Sequence, residues 1–393
     1  MSPALVARSA DLRRLRDEGY EISVIGGKLV LSHVPYLNGK REVRFGTLVS
    51  ELTLAGDTTT RPETHVVRFA GEQPCDASGR LLVKIINSPI HEKITDNLTV
   101  TFMFSSKPDA GYADYYEKLT AYIAMLATHV AAVDPNATAR TFRVVEADDS
   151  GSVFHYLDTA SSRAGIAPIN AKLATPRVAI VGLGGTGSYL LDLIAKTPVQ
   201  EIHLFDGDDL LQHNAFRAPG AASAEQLREQ PKKVDHYAQV YGGMRRGLVA
   251  HPYFLDESNV DELQAMSFVF ICMDQGGPKR HMIKALETFG IGFIDVGMGL
   301  YVTDDDAIAG HLRTTTSTPT RRTHVWEQRR IAFEDAADDD YGSNIQIVEL
   351  NALNAALAVI KWKKLRGFYA DLDHEHHNVY AIATNSLVGD DQP

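Results

Sequence analysis

The sequence predicts an α/β protein: a larger half built on a parallel sheet, preceded by a smaller α+β domain. Three observations carry that expectation. At Arg177 the pattern becomes strand, glycine turn, helix and strand (RVAIVGLGGTGSYLLDLIAKTPVQEIHLFD), a βαβ unit of the usual ~30 residues. Ahead of it, strand-like apolar runs come first and one long helix late, the order of an α+β unit. Finally, 393 residues with 44% apolar and 23% charged side chains are enough for two domains or three, each with a packed core.

Residues 1–21 are charged and carry Leu5, Leu12 and Leu15, so a helix is expected there. ISVIGGKLVLSHVPYL then reads as a hairpin broken at Gly26-Gly27. A polar stretch with turn signals at Gly56-Asp57 and Arg61-Pro62 leads to HVVRFAG, LLVKIINS and LTVTFMF, three expected strands. From Asp114 to Val133 the period changes, with Tyr116, Leu119, Tyr122, Ile123, Leu126 and Val130 at helical spacing before Asp134-Pro135. The expected organisation is therefore an α+β domain at 1–150, a linker at 151–172 and an α/β domain at 173–393. DSGS at 149–152 and the stretch 158–171 read as connecting chain. FVFICMD at 268–274 and GFIDVGM at 292–298 are further buried-strand candidates, and residues 346–365 form an amphipathic helix with a basic end. DAADDDYG at 335–342 reads as a solvated loop.

Lys and Arg number 39 against 50 Asp and Glu, a net charge of −11. That balance argues against non-specific binding to nucleic acid or an anionic membrane. Two cysteines cannot build a disulfide framework or a four-thiolate zinc site. MSPALVARSADLRRLRDEGYE has no apolar signal core, and no stretch approaches the ~18 apolar residues of a membrane helix. A soluble, cytoplasmic protein is the expectation.

Gly182, Gly184, Gly185 and Gly187 form GLGGTG between a strand and a helix. Glycines there let backbone N–H groups approach a phosphate, while the helix directs its positive end at it. No Lys-Ser/Thr follows, which excludes a P-loop. Asp206 ends the next strand, where a carboxylate holds a ribose hydroxyl whether the ligand is ATP or a dinucleotide. The text after it separates the two: DGDDLLQHNAFRAPG brings Asp208, Asn214 and Arg217, and EQPKKVDHY brings Lys232 and Lys233. Hydride transfer needs no such set of cations and amides, whereas an α-phosphate under attack does, because charge builds on its oxygens and on pyrophosphate. Asp274 closes the FVFICMD strand, where a carboxylate can hold Mg²⁺ beside substrate phosphates.

The ordered combination GLGGTGS, HLFDGDD…HN…R, KKV and ICMD resembles the ThiF-like superfamily, which contains ubiquitin-activating enzymes and their bacterial relatives; the likeness covers roughly 160–365. The resemblance implies a Rossmann-like, ThiF-type adenylation domain that uses ATP and Mg²⁺ to adenylate the C-terminal glycine of a ubiquitin-like or sulfur-carrier protein. The glycines and Asp206 would hold ATP; Asn214, Arg217 and a lysine its phosphates; Asp274 the Mg²⁺. Of the two lysines, Lys233 precedes Val234 as in the family's lysine-apolar step. Arg163 in SSRAGI matches an arginine that many members insert into the partner subunit's site, which implies a homodimer. Residues 1–150 resemble a domain of unknown role that precedes ThiF-like domains in bacterial chains, some from conjugation operons, which adds a conjugating-enzyme-like acceptor to the implied partners.

Many relatives carry a thioester-forming cysteine in a crossover loop; residues 299–345 hold Ser, Thr and His, including TTTSTPTRRTH, but no cysteine. Direct transfer of the adenylate, or an ester on a hydroxyl in 314–318, would replace the thioester. Cys272 reads as a structural thiol and Cys75, in GEQPCDASG, as an exposed but poorly nucleophilic one. DHEHH at 373–377 reads as a solvated C-terminal loop rather than a metal site, and Trp326 and Trp362 as packing residues. Two other functions compete with adenylation: an NAD-dependent oxidoreductase and a nucleotide-binding scaffold of a conjugation system.

Overall fold

The structure is a computed structural model that describes residues 3–147, 151–274, 276–333 and 345–390. The acidic run at 335–342 and the start of DSGS lie outside the described residues. The chain divides into two compact units, Met1–Glu146 and Ala147–Pro393.

The first unit begins with two short helices, α1 (Pro3–Arg8) and α2 (Ala10–Asp17), not the single helix expected. Ser9 separates them in extended conformation (φ −88°, ψ 119°), and its hydroxyl accepts the N–H of Thr59. Strands β1 (Glu21–Ile25) and β2 (Lys28–Leu37) pair through Gly26 and Gly27, both left-handed as a two-residue hairpin turn requires. Strand β3 (Val43–Glu51) was not foreseen in its polar setting, yet Leu48, Val49 and Ser50 are fully buried in it. A small ribbon, β4 (Leu54–Ala55) and β5 (Thr58–Thr59), precedes β6 (Val67–Ala70), β7 (Ile86–Thr95) and β8 (Leu98–Phe104). LLVKIINS thus becomes strand only from Ile86. The main sheet runs β1-β2-β3-β6-β8-β7, antiparallel throughout. Helix α3 (Tyr115–Val130) is capped by Asp114, which accepts the N–H of Glu117 at 2.7 Å. Its Leu119, Tyr122 and Leu126 pack with Leu12, Leu31, Phe69 and Phe104 in one core.

In the second unit the segment expected as plain linker folds into two short helices, α4 (Thr159–Arg163) and α5 (Ala167–Asn170). The βαβ unit follows as β9 (Arg177–Val181), α6 (Gly185–Ala195) and β10 (Glu201–Phe205). Arg245 ties off its crossover, donating to the carbonyls of Ala195 and Thr197 from a buried position. Short helices α7 (Gln212–Ala215) and α8 (Ala224–Glu229) lead to α9 (Lys233–Gly242), β11 (Leu248–His251), β12 (Phe268–Ile271) and α10 (Gly276–Phe289). Then come β13 (Phe293–Val302), β14 (Ile308–Ser317), α11 (His324–Glu327), α12 (Val348–Leu365), β15 (His377–Ala381) and β16 (Ser386–Asp390).

The eight-stranded sheet runs β11-β10-β9-β12-β13-β14-β15-β16, parallel through β13 and antiparallel beyond. Alternation along the strands fills both faces. Ile180, Leu204 and Phe270 pack with Leu190 and Leu191 of α6 and Trp362 of α12. Ala179, Val269 and Ile271 pack with Met282, Ile283 and Leu286 of α10. The parallel strands thereby end at one edge, where the glycine turn lies. Among the described residues no helix is long and apolar enough to cross a membrane.

Two expectations about side chains are corrected here. Thr314, Thr315, Thr316 and Ser317 are buried in β14 rather than offered on a loop, which leaves the half-buried Thr318, just past the strand, as the accessible hydroxyl of 314–318. DHEHH is not a solvated loop, because Glu375, His376 and His377 are buried. Glu375 takes Lys364 at 3.0 Å and His377 Nδ1 lies 3.0 Å from Thr315 Oγ1, contacts that fasten the run to α12 and β14.

Candidate functional site

The glycine turn owes its composition to three close approaches and one opening. A β-carbon on Gly182 (φ +90°) would fall 2.7 Å from the carbonyl oxygen of Cys272, one on Gly187 1.9 Å from that of Gly182, and one on Gly185 2.1 Å from Asn351 Nδ2. Gly184 has nothing within 4 Å of such an atom. It sits at the N-cap of α6, where unpaired N–H groups and the helix dipole favour an anion. The turn thus faces open space at one residue and the protein at the others.

Asp206, buried at the end of β10, organises the neighbouring segment. Its Oδ2 accepts the N–H of Leu183 at 2.6 Å, which ties it to the glycine turn, and its Oδ1 accepts that of Asp208 at 2.9 Å. Lys233, buried at the start of α9, places Nζ 2.6 Å from Asp208 Oδ2 and 3.7 Å from Asp206 Oδ1. Lys232 points elsewhere, with Nζ 2.8 Å from both the Gly207 carbonyl and Asp209 Oδ1. Two adjacent lysines therefore do different things: one joins the carboxylates, the other fastens the turn beneath them.

Asn214 and Arg217 supply a further pair. Asn214 is buried, its Oδ1 accepts the N–H of Leu211 at 2.8 Å, and its Nδ2 has no hydrogen-bond partner among the described residues. Arg217 Nε is likewise buried without one. Buried donors left unpaired are costly in a finished structure, by about 1–3 kcal/mol each, and fit a place where a polyanion completes them.

Asn351, on α12, was not among the expected site residues. Its Oδ1 accepts from Thr186 Oγ1 at 2.9 Å and its Nδ2 reaches the Arg217 carbonyl at 3.4 Å, so one amide joins the glycine turn to the arginine segment. The signal was an amide at a helical position spaced with Asn354, Ala355 and Ala358, all buried; Asn354 Nδ2 donates to the Gly297 carbonyl.

Asp274 stands exposed just beyond β12, two residues from the Cys272 carbonyl that touches the glycine turn, and Gln346 Nε2 lies 3.5 Å from its Oδ2. No group of three or more His, Cys, Asp or Glu among the described residues could hold a metal ion. One protein carboxylate is enough for a Mg²⁺ site when waters and substrate phosphates are the other ligands. Nearby, Asp295 is fully buried on β13 between Lys279 Nζ at 3.1 Å and Arg313 Nη2 at 2.5 Å, an ionic staple across α10, β13 and β14.

Arg163 ends α4 in an exposed position and shares no hydrogen bond or ion pair with the other candidate residues described. Asp158, a possible local counterion, instead caps Ser161 at 3.0 Å and accepts from Asn170. Both cysteine thiols are raised above their ordinary range. Burial pushes Cys272 well above the ordinary thiol range, with Asp295 adding to it. Cys75 is buried rather than exposed as expected, and burial followed by Asp76 raises it too.

Residues 161–317 match the ThiF family, and residues 10–159 match a domain of unknown function (DUF6791). No curated protein matches the chain. Among solved structures, PaaA is similar over 77% of this chain and 98% of its own, at 13% identity and a TM-score of 0.46. E. coli MccB with MccA-N7isoASN is similar over 59% and 71%, at 14% identity and a TM-score of 0.44. E. coli MccB with ATP is similar over 57% and 66%, at 16% identity and a TM-score of 0.42.

Proposed function

Residues 161–317 being a ThiF family domain, we propose that the protein is an ATP-dependent adenylyltransferase acting on the C-terminal carboxylate of a ubiquitin-like or sulfur-carrier protein. The observation that carries the reading is the pair of buried, unpartnered donors, Asn214 Nδ2 and Arg217 Nε, on the segment that Asn351 joins to the glycine turn. A dinucleotide reading explains the glycines and Asp206 but leaves these donors without a task.

In this reading Asp206 holds the ribose while keeping the glycine turn in register through Leu183. Gly184 and the first turn of α6 present N–H groups to the phosphates. Asn214 and Arg217 donate to phosphate oxygens, and Lys233, held by Asp206 and Asp208, offsets charge as it develops. Mg²⁺, held by Asp274, would supply charge neutralisation between phosphates. The carrier's carboxylate is ionised at neutral pH and needs no general base, so positioning and electrostatics do the rest. The buried Cys75, the part-buried Cys272 with its raised thiol, and the buried hydroxyls of β14 support direct passage of the adenylate to a separate, conjugating-enzyme-like acceptor. Arg163, exposed and uncommitted to Asp158, would act across the two-fold axis of a homodimer.

Calorimetry with Mg-ATP and with NAD⁺ tests the reading. ATP should bind, and Arg217→Ala and Asp274→Ala should each cost ~2–4 kcal/mol in transition-state stabilisation once a carrier is supplied. Binding of NAD⁺ with no binding of ATP would sink it.

A further inference from the structure

Strands β10 and β11 carry a hydrogen-bonded chain that the chemistry above does not use. His203 Nδ1 lies 3.0 Å from His251 Nε2. Outward from His203, Nε2 is 3.3 Å from Glu201 Oε2, and Glu201 also takes Arg177 Nε at 2.8 Å. Outward from His251, Nδ1 is 2.8 Å from the Tyr253 hydroxyl, which donates to Glu262 Oε2 at 2.7 Å. The Phe205 ring stacks on His251 at 4.0 Å and 7°, fixing the plane of the imidazole.

Counting protons along the chain gives its charge. Glu262 takes the Tyr253 proton, so the phenol oxygen accepts from His251 Nδ1–H. His251 Nε2 then offers a lone pair, and His203 must donate from Nδ1–H. At its far side His203 Nε2 meets a carboxylate, which only accepts, so that nitrogen needs a proton as well. The chain closes with one imidazolium, on His203. A second proton would set N–H against N–H across the 3.0 Å contact, and loss of the first would set a lone pair against Glu201.

This chain abuts the nucleotide cradle. Asp206 N donates to the His251 carbonyl at 3.3 Å. A β-carbon on Gly207 would fall 2.8 Å from the ring of Phe254, which follows Tyr253 directly. We propose that His203 and His251 form a one-proton latch that positions the Asp206–Gly207 segment, closed with a single imidazolium and opened by a second proton. The role assigned to the latch rests on the nucleotide reading above. The charged groups facing the pair are Glu201 on β10, Arg177 on β9 and Glu262 on the short turn Val260–Ala265. Burial and then the neighbouring His203 hold His251 below the ordinary histidine range, against the pull of Glu262. Both histidines are positioning residues, since they reach the cradle only through the backbone of Asp206 and the Phe254 contact.

Two measurements on the full-length protein test the latch. Imidazole ¹⁵N spectra across pH 5–8 should show the two rings coupled, with His251 keeping its Nδ1–H tautomer while the pair holds one proton, and His203→Gln should move the His251 transition. Mg-ATP affinity of the native protein should fall ~10-fold relative to His251→Gln on acidification through the second step. Independent single-site titrations, or equal pH slopes of affinity for the native protein and His251→Gln, overturn the latch. Absence of ATP binding at every pH instead overturns the nucleotide reading and the positioning role with it, and the spectra then show whether the proton chain itself exists.

Discussion

Asn351 occupies the space a side chain at Gly185 would need, so that a β-carbon there would fall 2.1 Å from its amide nitrogen. The same amide bonds Thr186 and the Arg217 carbonyl. Glycine at 185 is thus a packing requirement between α6 and α12, whereas glycine at 184 answers to the open space beside it.

The two glycines should therefore fail differently. Gly185→Ala should lower stability by ~1–3 kcal/mol, the usual cost of overpacking a rigid neighbour, in urea unfolding. Gly184→Ala should fold normally and lose ~10-fold or more in ATP affinity. Equal stability losses with unchanged ATP binding in both would contradict the assignment.

The adjacent lysines should separate as clearly. Lys233→Ala removes the cation between Asp206 and Asp208 and leaves a buried carboxylate short of its partner, which should weaken ATP binding and cost stability together. Lys232→Ala breaks an exposed pair with Asp209, worth ~0–1 kcal/mol, and should leave ATP affinity within about twofold. Calorimetry on both variants decides this, and the reverse ranking would reassign the site lysine.

Neither thiol should react rapidly in the native protein. Burial raises both thiols, so iodoacetamide at pH 8 should label the buried Cys75 only after unfolding and the part-buried Cys272 slowly. Rapid labelling of either, or a carrier adduct released by dithiothreitol and abolished by Cys75→Ser, would restore a thioester route.

Lys118 in the first unit gives a pH signature. It is fully buried, bonded to Ser50 Oγ and the Thr64 carbonyl, and burial pulls its pKa down to about 8. The folded state then binds fewer protons than the unfolded one above that pH, so the penalty stands in full below about 8 and is relieved as pH rises towards the ordinary lysine value. Raised phenols at Tyr115 and Tyr122 act oppositely near pH 10, which a comparison with Lys118→Met cancels. The stability gap between Lys118→Met and the native protein should shrink by ~1–3 kcal/mol between pH 7.5 and 10 in calorimetric unfolding. A constant gap would mean that the lysine is solvated.

The parallel half was legible because strands buried on both faces read as unbroken apolar runs, and GLGGTG marks the turn between them. What escaped depended on distant partners. Strand β3 looked polar because Arg44, Thr47 and Ser50 interrupt its run, and its burial comes from pairing with β2 and β6. The threonine-rich β14 and the DHEHH run looked solvated because their burial rests on distant pairings: Thr315 with His377, and Glu375 with Lys361 and Lys364 of α12. In the site, the order of Asp206, Asn214, Arg217 and Lys233 could be read along the chain. The burial of Lys233, the unpartnered donors and the reach of Asn351 belong to tertiary contacts that no local spacing encodes.

The central claim is that ATP is cleaved between its α and β phosphates by a carrier's carboxylate. Exchange of labelled pyrophosphate into ATP, with Mg²⁺ and a small β-grasp-like carrier protein ending in glycine, tests it most directly. The account predicts exchange that requires both the metal and the intact carrier C-terminus and is reduced at least ~30-fold by Arg217→Ala or Asp274→Ala. Exchange that ignores the carrier's terminal carboxylate, or hydride transfer from NADH in its place, would contradict it.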